Sequence, residues 1–335
     1  NQDGTVSLAK DPLSHVDSGG GAASIGATFA RLYKKYSGTN RKILVVPNAA
    51  GSTGFFNFNH GSTTINGVSV DRTWLADGSR GYNLYEHMVR RTKIALAYHP
   101  ITNPTPTYTG STPPTPNANN RVVALLWHQG EDDNSDAWSG ADGSIYMTKL
   151  LQLINNFRTA IGNSTCPFVC GGLQPQCFPT PIQVEIGQSG IANSLYYTYF
   201  APSRNVAPYS TNLNTATYYS TNSDIGGGRY VHFSAVGYRV MGARYWNSYL
   251  LALKNAPASA TITGTLTAGF VGGATPTYDV TNNIYTVNLS GYTATGATTI
   301  RAYYSTDNGA TYTLASTGSL TVNPANPLVT SISST

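Results

Sequence analysis

The fold is decided by the stretch VVALLWHQGE at residues 122–131. Its first six residues are apolar without alternation, which is typical of a strand buried on both faces of a parallel sheet. The polar residues behind it then lie at the carboxyl end of that strand, where open α/β sheets build their binding sites. The stretch therefore predicts both a layered α/β fold and the position of a functional site.

Strands and helices are predicted to alternate on both sides of this stretch. Apolar runs predict further strands at residues 43–46 and 168–169, and the alternation IQVEI predicts another at residues 182–186. Apolar residues at helical spacing predict helices at residues 24–36, 82–97, 145–161 and 235–254, the last with Ser234 as its N-cap. This alternation favours a three-layer α/β domain with a parallel sheet.

The composition changes after Ala256. Residues 257–335 carry only three charged side chains, and short Thr-, Val- and Tyr-rich runs alternate there with turn residues. Asn308-Gly309 between two such runs is a strong hairpin signal. We predict an α/β domain over residues 1–256 and a small all-β sandwich over residues 257–335, of the immunoglobulin/fibronectin or carbohydrate-binding kind.

Charge and hydropathy exclude several kinds of partner. The net charge is +5, but the cations are dispersed, whereas nucleic-acid binders concentrate them on one face. The apolar runs are too short to span a bilayer. Charged residues make up 10% of the chain, against roughly 25% in ordinary soluble domains. We expect no nucleic-acid partner, no membrane span, and an extracellular or virion location such as a phage tail fibre, with homo-oligomer and virion assembly both left open.

Neither the cysteines nor the acidic loop predicts a metal site. Cys166, Cys170 and Cys177 lack a nearby fourth ligand in a zinc pattern, and we expect buried free thiols, with one disulfide as the alternative. Asp132-x-Asn134-x-Asp136 begins like a calcium loop, but positions 137 and 143 are Ala and Gly where such a loop needs Gly and Glu. A solvated acidic loop is expected instead.

Three segments carry residues suited to ester hydrolysis. Gln129 and Glu131 follow the strand at 122–127, and the Gly-rich turn at 51–54 follows the run at 43–46. Exposed backbone N–H groups in such a turn can receive an oxyanion. His232 stands at the entrance of the last predicted helix, a suitable place for a general base.

In this order the segments resemble the SGNH-type carbohydrate esterases, in the acetylxylan- and sialate-O-acetylesterase-like branch that phage tail proteins also carry. The resemblance covers about residues 8–250. It rests on LAKDPL at 8–13, GATFA at 26–30, VPNAAGST at 46–53, WHQGE at 127–131 and HFSAVG at 232–237. It implies a serine esterase that removes acetyl groups from a glycan and requires neither a metal nor an organic cofactor.

The resemblance also implies roles for individual residues. His232 is the expected general base. The acid that orients it is left open between Glu131 and Asp224, with a slight preference for Glu131, because Arg229 stands where the family has an aspartate. The expected oxyanion donors are Gly51, Ser52 and Gln129.

The nucleophile is not obvious in the sequence. The family carries its nucleophilic serine in a G-Q-S-N block ahead of the stretch that LAKDPL resembles, so we expect this serine outside these 335 residues. Ser18, in VDSG at 16–19, and Ser189, in GQSG at 187–190, are weaker candidates. The alternative function is a catalytically degenerate module that binds glycans or serves a structural role in a phage tail, another virion component or a secreted fibre.

Overall fold

A computed structural model of the protein describes residues 24–36, 42–56, 61–108, 111–134 and 139–256, together with Val6, Leu13 and five short strands beyond residue 276. By internal contacts the chain divides into two units, one of residues 1–31 and 42–255, the other of residues 32–41 and 256–335. Nowhere in the described ranges is a helix both long and apolar enough to cross a membrane.

Helices and strands alternate between residues 25 and 254, most of which belong to the first unit. The helices are α1 Ile25–Tyr36, α2 Leu84–Ala97, α3 Ser144–Ala160, α4 Gln183–Ser189, α5 Ile191–Ser194 and α6 Ala235–Lys254. The strands are β1 Ser62–Ile65, β2 Val68–Asp71, β3 Leu125–Trp127, β4 Phe168–Gly171 and β5 Thr198–Ala201. The predicted α/β class is therefore confirmed.

The core of this unit is built on a parallel sheet in the order β3-β4-β5. Trp127 lies opposite Cys170, and Cys170 lies opposite Phe200. All four residues of β4 are buried, as expected for the middle strand of a sheet covered on both faces. Helix α6 packs on β4 and β5. A Cβ on Gly171 would overlap the ring of Tyr245, so this glycine permits the close approach of helix and sheet.

Helix α6 begins where the sequence predicted. Ser234 is its N-cap, and the Ser234 hydroxyl accepts the Gly237 N–H at 3.1 Å. An N-cap serine satisfies one of the N–H groups that the first turn leaves without a helical partner. The cap fixes the point at which the chain leaves the loop of His232 and enters the helix.

The strand predicted at residues 43–46 is wrong. The structure assigns no strand to residues 42–50, and Leu44 is 41% exposed. Side chains meet the carbonyls at the end of this run: Asn48 donates to Val46 O and Arg91 donates to Pro47 O. The apolar run is extended, but it belongs to no ladder among the described residues.

The strand predicted at residues 182–186 is also wrong, because these residues enter helix α4. Val184 and Gln188 are both buried, and a spacing of four places them on the same helix face. The short apolar alternation was compatible with either structure, and packing on the core selected the helix.

The second unit contains short antiparallel strands. They are β6 Thr277–Asp279, β7 Ile284–Asn288, β8 Tyr303–Tyr304, β9 Thr313–Leu314 and β10 Val329–Ser333. Strand β7 lies between β10 and β6, and β8 pairs with β9 across the segment that holds Asn308-Gly309. The β-sandwich and the domain assignment at 256/257 stay predictions.

Candidate active site

A glycine directs the chain away from the end of β3. Gly130 has a φ of 149°, and a Cβ there would overlap the side chain of Val184 in α4. Only glycine adopts this backbone without strain. On one side of it Gln129 is buried, while on the other Glu131 is only partly buried. The turn thus places the Gln129 amide and the Glu131 carboxylate on either side of Gly130.

The side chain of Gln129 joins the end of β3 to the turn at 51–56. Its Nε2 donates to Thr53 O and to Asp133 Oδ2, both at 3.0 Å. Its Oε1 accepts from Tyr146 Oη at 2.8 Å. Both amide hydrogens therefore serve internal bonds. The oxyanion role of Gln129 stays a prediction, and it would require one of these bonds to open.

Asp133 departs from the solvated acidic loop expected around it, in which Asn134 is exposed and Asp136 lies outside the described residues. Its side chain is 0% exposed. It accepts the Phe55 N–H at 2.9 and 3.0 Å and the Phe56 N–H at 3.0 Å. Burial raises the pKa of Asp133, while these N–H groups and the Gln129 amide act in the opposite direction. The carboxyl group is an internal acceptor that holds the backbone of the facing turn.

The turn at 51–56 has a fixed base and an exposed tip. At the base, Thr53 Oγ1 donates to Ala50 O at 2.8 Å and accepts Trp74 Nε1 at 2.9 Å. At the tip, Gly51 and Ser52 are exposed, and Ser52 has a φ of 48°. An anchored tip suits preorganised oxyanion donors. The role of Gly51 and Ser52 stays a prediction.

His232 has a fixed backbone and an exposed side chain. Its N–H donates to Ser223 Oγ at 3.1 Å, and its carbonyl accepts the Ser220 N–H at 2.9 Å. The imidazole is thus held by its main chain at the entrance of α6, yet it remains accessible to a substrate.

Aromatic contacts bring the loop of His232 to the end of β3. The rings of Phe233 and His128 lie 5.6 Å apart between centroids. His128 Nδ1 lies 3.2 Å from Tyr245 Oη, which donates to Trp127 O. Burial, reinforced by the charge of His232, lowers the pKa of His128 to about 4. His128 is therefore neutral near pH 7 and acts as a packing partner between the two segments.

The two candidate acids occupy different environments. Burial raises the pKa of Glu131, while its own N–H, the charge of His232 and the N–H of Gly130 lower it. Glu131 therefore lies within electrostatic reach of His232. Asp224 is exposed, and its Oδ1 accepts the Gly226 N–H at 2.8 Å. Within the described ranges no hydrogen bond joins the His232 imidazole to a carboxylate.

The structure places Ser189 in a setting unlike that of a nucleophile. It is the last residue of α4, and its hydroxyl donates to Ile186 O at 2.7 Å. An activated serine of an α/β-hydrolase type stands instead on a sharp turn from strand to helix. Ser18 lies outside the described residues.

Gln188, the neighbour of Ser189, is a buried residue of the site that was not predicted from the sequence. Its Nε2 donates to Gln129 O at 2.9 Å and to Tyr146 Oη at 3.1 Å, and its side chain is buried. The GQSG motif did point to this segment, but its glutamine, and not its serine, contacts the other residues of the site.

Replacing Ser189 with Ala is therefore expected to leave acetate release within about twofold of the wild type. The variant should fold normally, because substitutions of exposed residues usually change the free energy of unfolding by at most ~0.5 kcal/mol. Acetate would be measured with the full-length protein on a soluble acetyl ester. A loss of about a hundredfold or more in a folded variant would restore Ser189 as the nucleophile.

The cysteines confirm the expectation of buried free thiols. Cys166, Cys170 and Cys177 are all buried and unpaired with one another. Burial raises the pKa of Cys166 to about 12, so its thiolate form is scarce at neutral pH.

Comparison with known proteins identifies the family. A family model described as carbohydrate esterase, sialic acid-specific acetylesterase, matches residues 1–251. A search of curated protein sequences found no significant match to this chain. Among solved structures, an Arabidopsis thaliana protein determined by X-ray crystallography matches at 16% identity and a TM-score of 0.33, over 52% of this chain and 55% of that one. The chain thus spans about half the length of that structure. Since the family match covers 251 of 335 residues, the chain belongs to the sialic acid-specific acetylesterase family of carbohydrate esterases.

Proposed function

We propose that the protein is a carbohydrate O-acetylesterase that cleaves acetyl esters of a glycan by Ser-His hydrolysis. The observation that carries this proposal is the family match over residues 1–251, which implies carbohydrate acetylesterase activity in general. The contact between Phe233 and His128 supports the finer mechanism, because it brings the proposed base to the end of β3.

In the proposed reaction, a serine oxygen attacks the acetyl carbonyl while His232 takes the serine proton. The tetrahedral intermediate collapses to an acetyl-enzyme, and His232 returns the proton to the departing sugar hydroxyl. Water then attacks the acetyl-enzyme with His232 again as base, which releases acetate and restores the serine. The exposed imidazole of His232 on its fixed backbone suits both proton transfers.

Preorganised donors would stabilise the negative oxygen of the tetrahedral intermediate. The backbone N–H groups of Gly51 and Ser52 are the proposed donors, with the Gln129 amide as a third once it leaves an internal partner. The anchoring of this turn by Thr53 and Asp133 supports the assignment, because preorganised donors need no rearrangement at the moment of reaction. This mechanism needs no metal and no organic cofactor.

Glu131 is the proposed acid that orients His232 and stabilises its charged form, since the two groups lie within electrostatic reach. We expect Glu131→Gln to lower kcat by at least ~10²-fold, because losing such an acid impairs the base strongly. Asp224→Asn, the same chemical change on an exposed turn, is expected to lower it far less. Steady-state acetate release checks both variants, and a larger loss from Asp224→Asn would assign the role to Asp224.

The proposed substrate is an O-acetylated glycan, and the family description favours acetylated sialic acid. The proposed setting is extracellular or on a virion, such as a phage tail, which suits the 10% charged composition. Homo-oligomer and virion assembly both remain compatible with it.

The function is tested by incubating the full-length protein with a panel of O-acetylated glycans, including acetylated sialosides and acetylated xylan, and assaying free acetate enzymatically. Acetate release in excess of the protein concentration is expected.

The alternative is a degenerate glycan-binding or structural module, and Arg229 in place of the family acid favours it. Retention of glycans on the protein with no acetate from any of them would select that alternative.

A further inference from the structure

Two tyrosines lie stacked on the segment that carries His232. The rings of Tyr219 and Tyr230 are 4.6 Å apart between centroids and inclined by 4°. Both side chains are partly exposed rather than buried in the core. Stacking covers one face of each ring, and the part of each side chain that stays exposed is available to a ligand.

Both tyrosines lie close to the backbone of His232, the proposed base. Tyr230 precedes His232 by two residues in the chain. On the other side, Tyr219 forms an antiparallel bridge with Phe233, and the next residue, Ser220, donates its N–H to His232 O at 2.9 Å. A ligand against these rings would therefore lie next to His232.

Hydrogen bonds hold the tyrosine pair in place before any ligand arrives. The Tyr230 N–H donates to Gln176 Oε1 at 2.6 Å, and Gln176 Nε2 donates to Gly228 O at 2.5 Å. Residues 223–231 form a hairpin. Since Gln176 follows β4 in the first unit, it joins this hairpin to the segment after that strand. A preorganised surface loses little entropy on binding.

The groups around the rings have the chemistry that a sugar ligand would need. Within the described ranges, neither the Tyr219 nor the Tyr230 hydroxyl has a hydrogen-bond partner. The exposed side chains of Asp224 and Arg229 lie on the same hairpin and offer an acceptor and a donor. A pyranose ring has C–H groups that pack on an aromatic face, while its hydroxyls point outward to such polar groups. Flat apolar faces with a few polar groups at the edge match this ligand.

We propose that Tyr219 and Tyr230 form a subsite that binds a pyranose ring of the glycan by stacking, beside the ester on which His232 acts. The position of the ester rests on the proposed function. Sugar binding by the tyrosine pair does not, because it requires no hydrolysis.

The test compares the full-length wild type with Tyr230→Ala and Tyr230→Phe. All three proteins are applied to a microarray of O-acetylated and unacetylated glycans, and calorimetry then measures the Kd for each glycan that binds. Tyr230→Ala is expected to raise Kd about tenfold, the effect of losing a good aromatic contact. Tyr230→Phe keeps the ring and is expected to stay within about threefold. Tyr196→Ala is the matched control, since Tyr196 is 54% exposed and precedes β5, at the amino end of the sheet.

A kinetic readout separates the subsite from the chemistry. For Tyr230→Ala, the ratio of kcat/KM on an acetylated glycan to kcat/KM on methyl acetate is expected to fall about tenfold, mainly through KM. Tyr230→Leu, which keeps apolar volume without a flat ring, replaces Tyr230→Ala if the latter fails to fold.

Three outcomes would overturn the subsite: unchanged glycan affinity in Tyr230→Ala or Tyr230→Leu, an equal loss of affinity in Tyr196→Ala, or no wild-type binding to any glycan. Tyrosine-dependent binding without acetate release would instead refute the proposed hydrolysis and leave the subsite standing.

Discussion

Replacing His232 with Ala is expected to lower kcat/KM for acetate release by about 10³-fold or more, because general base catalysis contributes ~10²–10⁴-fold. The imidazole is exposed, so its removal opens a space that solvent and small molecules can enter. We therefore expect added imidazole to restore part of the activity of the variant. Initial rates on methyl acetate, with and without imidazole, provide the measurement.

The matched control is His99→Ala, which removes an imidazole from the turn after α2, where it accepts the N–H groups of Ile101 and Thr102. This variant is expected to retain acetate release within about twofold, since it alters a surface turn. Full activity in a folded His232→Ala variant would remove His232 from the mechanism.

The second large effect is on stability and concerns Asp133. Asp133→Ala leaves buried N–H groups of Phe55, Phe56 and Gln129 without their acceptor. Each unsatisfied buried donor costs ~1–3 kcal/mol, and relaxation of the turn recovers part of that cost. We expect the free energy of unfolding to fall by ~3–5 kcal/mol, as when other buried polar networks are broken. Urea denaturation followed by tryptophan fluorescence measures this change.

Asp133→Asn tests the same hydrogen bonds with almost no change of side-chain shape, because asparagine and aspartate are nearly isosteric. Oδ1 accepts from Phe55 and Phe56, and Oδ2 accepts from Phe55 and Gln129. Either orientation of an asparagine amide would therefore place its NH₂ group against another donor. We expect a loss of ~2 kcal/mol, whereas Asp142→Asn on an exposed turn should leave the free energy of unfolding almost unchanged. Equal, small effects at the two positions would contradict the role of Asp133.

The sequence supports prediction best where local chemistry and packing agree. The N-cap of α6 could be predicted because Ser234 precedes a long stretch with helical spacing, and its cap bond is formed. The strand before WHQGE could be predicted because its apolar run has no alternation and leads to a site-like segment. In the structure β3 covers the second half of that run, Leu125–Trp127.

The remaining features depend on contacts that no local pattern records. The run at 43–46 resembles a buried strand, but forming a strand requires a neighbouring strand with free N–H and C=O groups. Asp133 belongs to an acidic cluster in the sequence, and its burial depends on Phe55 and Phe56, which lie 78 and 77 residues earlier. Strand β5, TYFA at 198–201, is too short for its pattern to stand out. Long-range pairing decided each of these three cases.

Covalent labelling tests the proposed serine hydrolase centre around His232 without knowledge of the glycan. The full-length protein would be treated with a fluorophosphonate, which modifies an activated serine, and analysed by intact-mass and peptide mass spectrometry. We expect one adduct on a single serine in the wild type and a rate of labelling at least ~10²-fold lower in His232→Ala. A folded wild-type protein that binds glycans but forms no adduct, or that labels equally fast without His232, would contradict it.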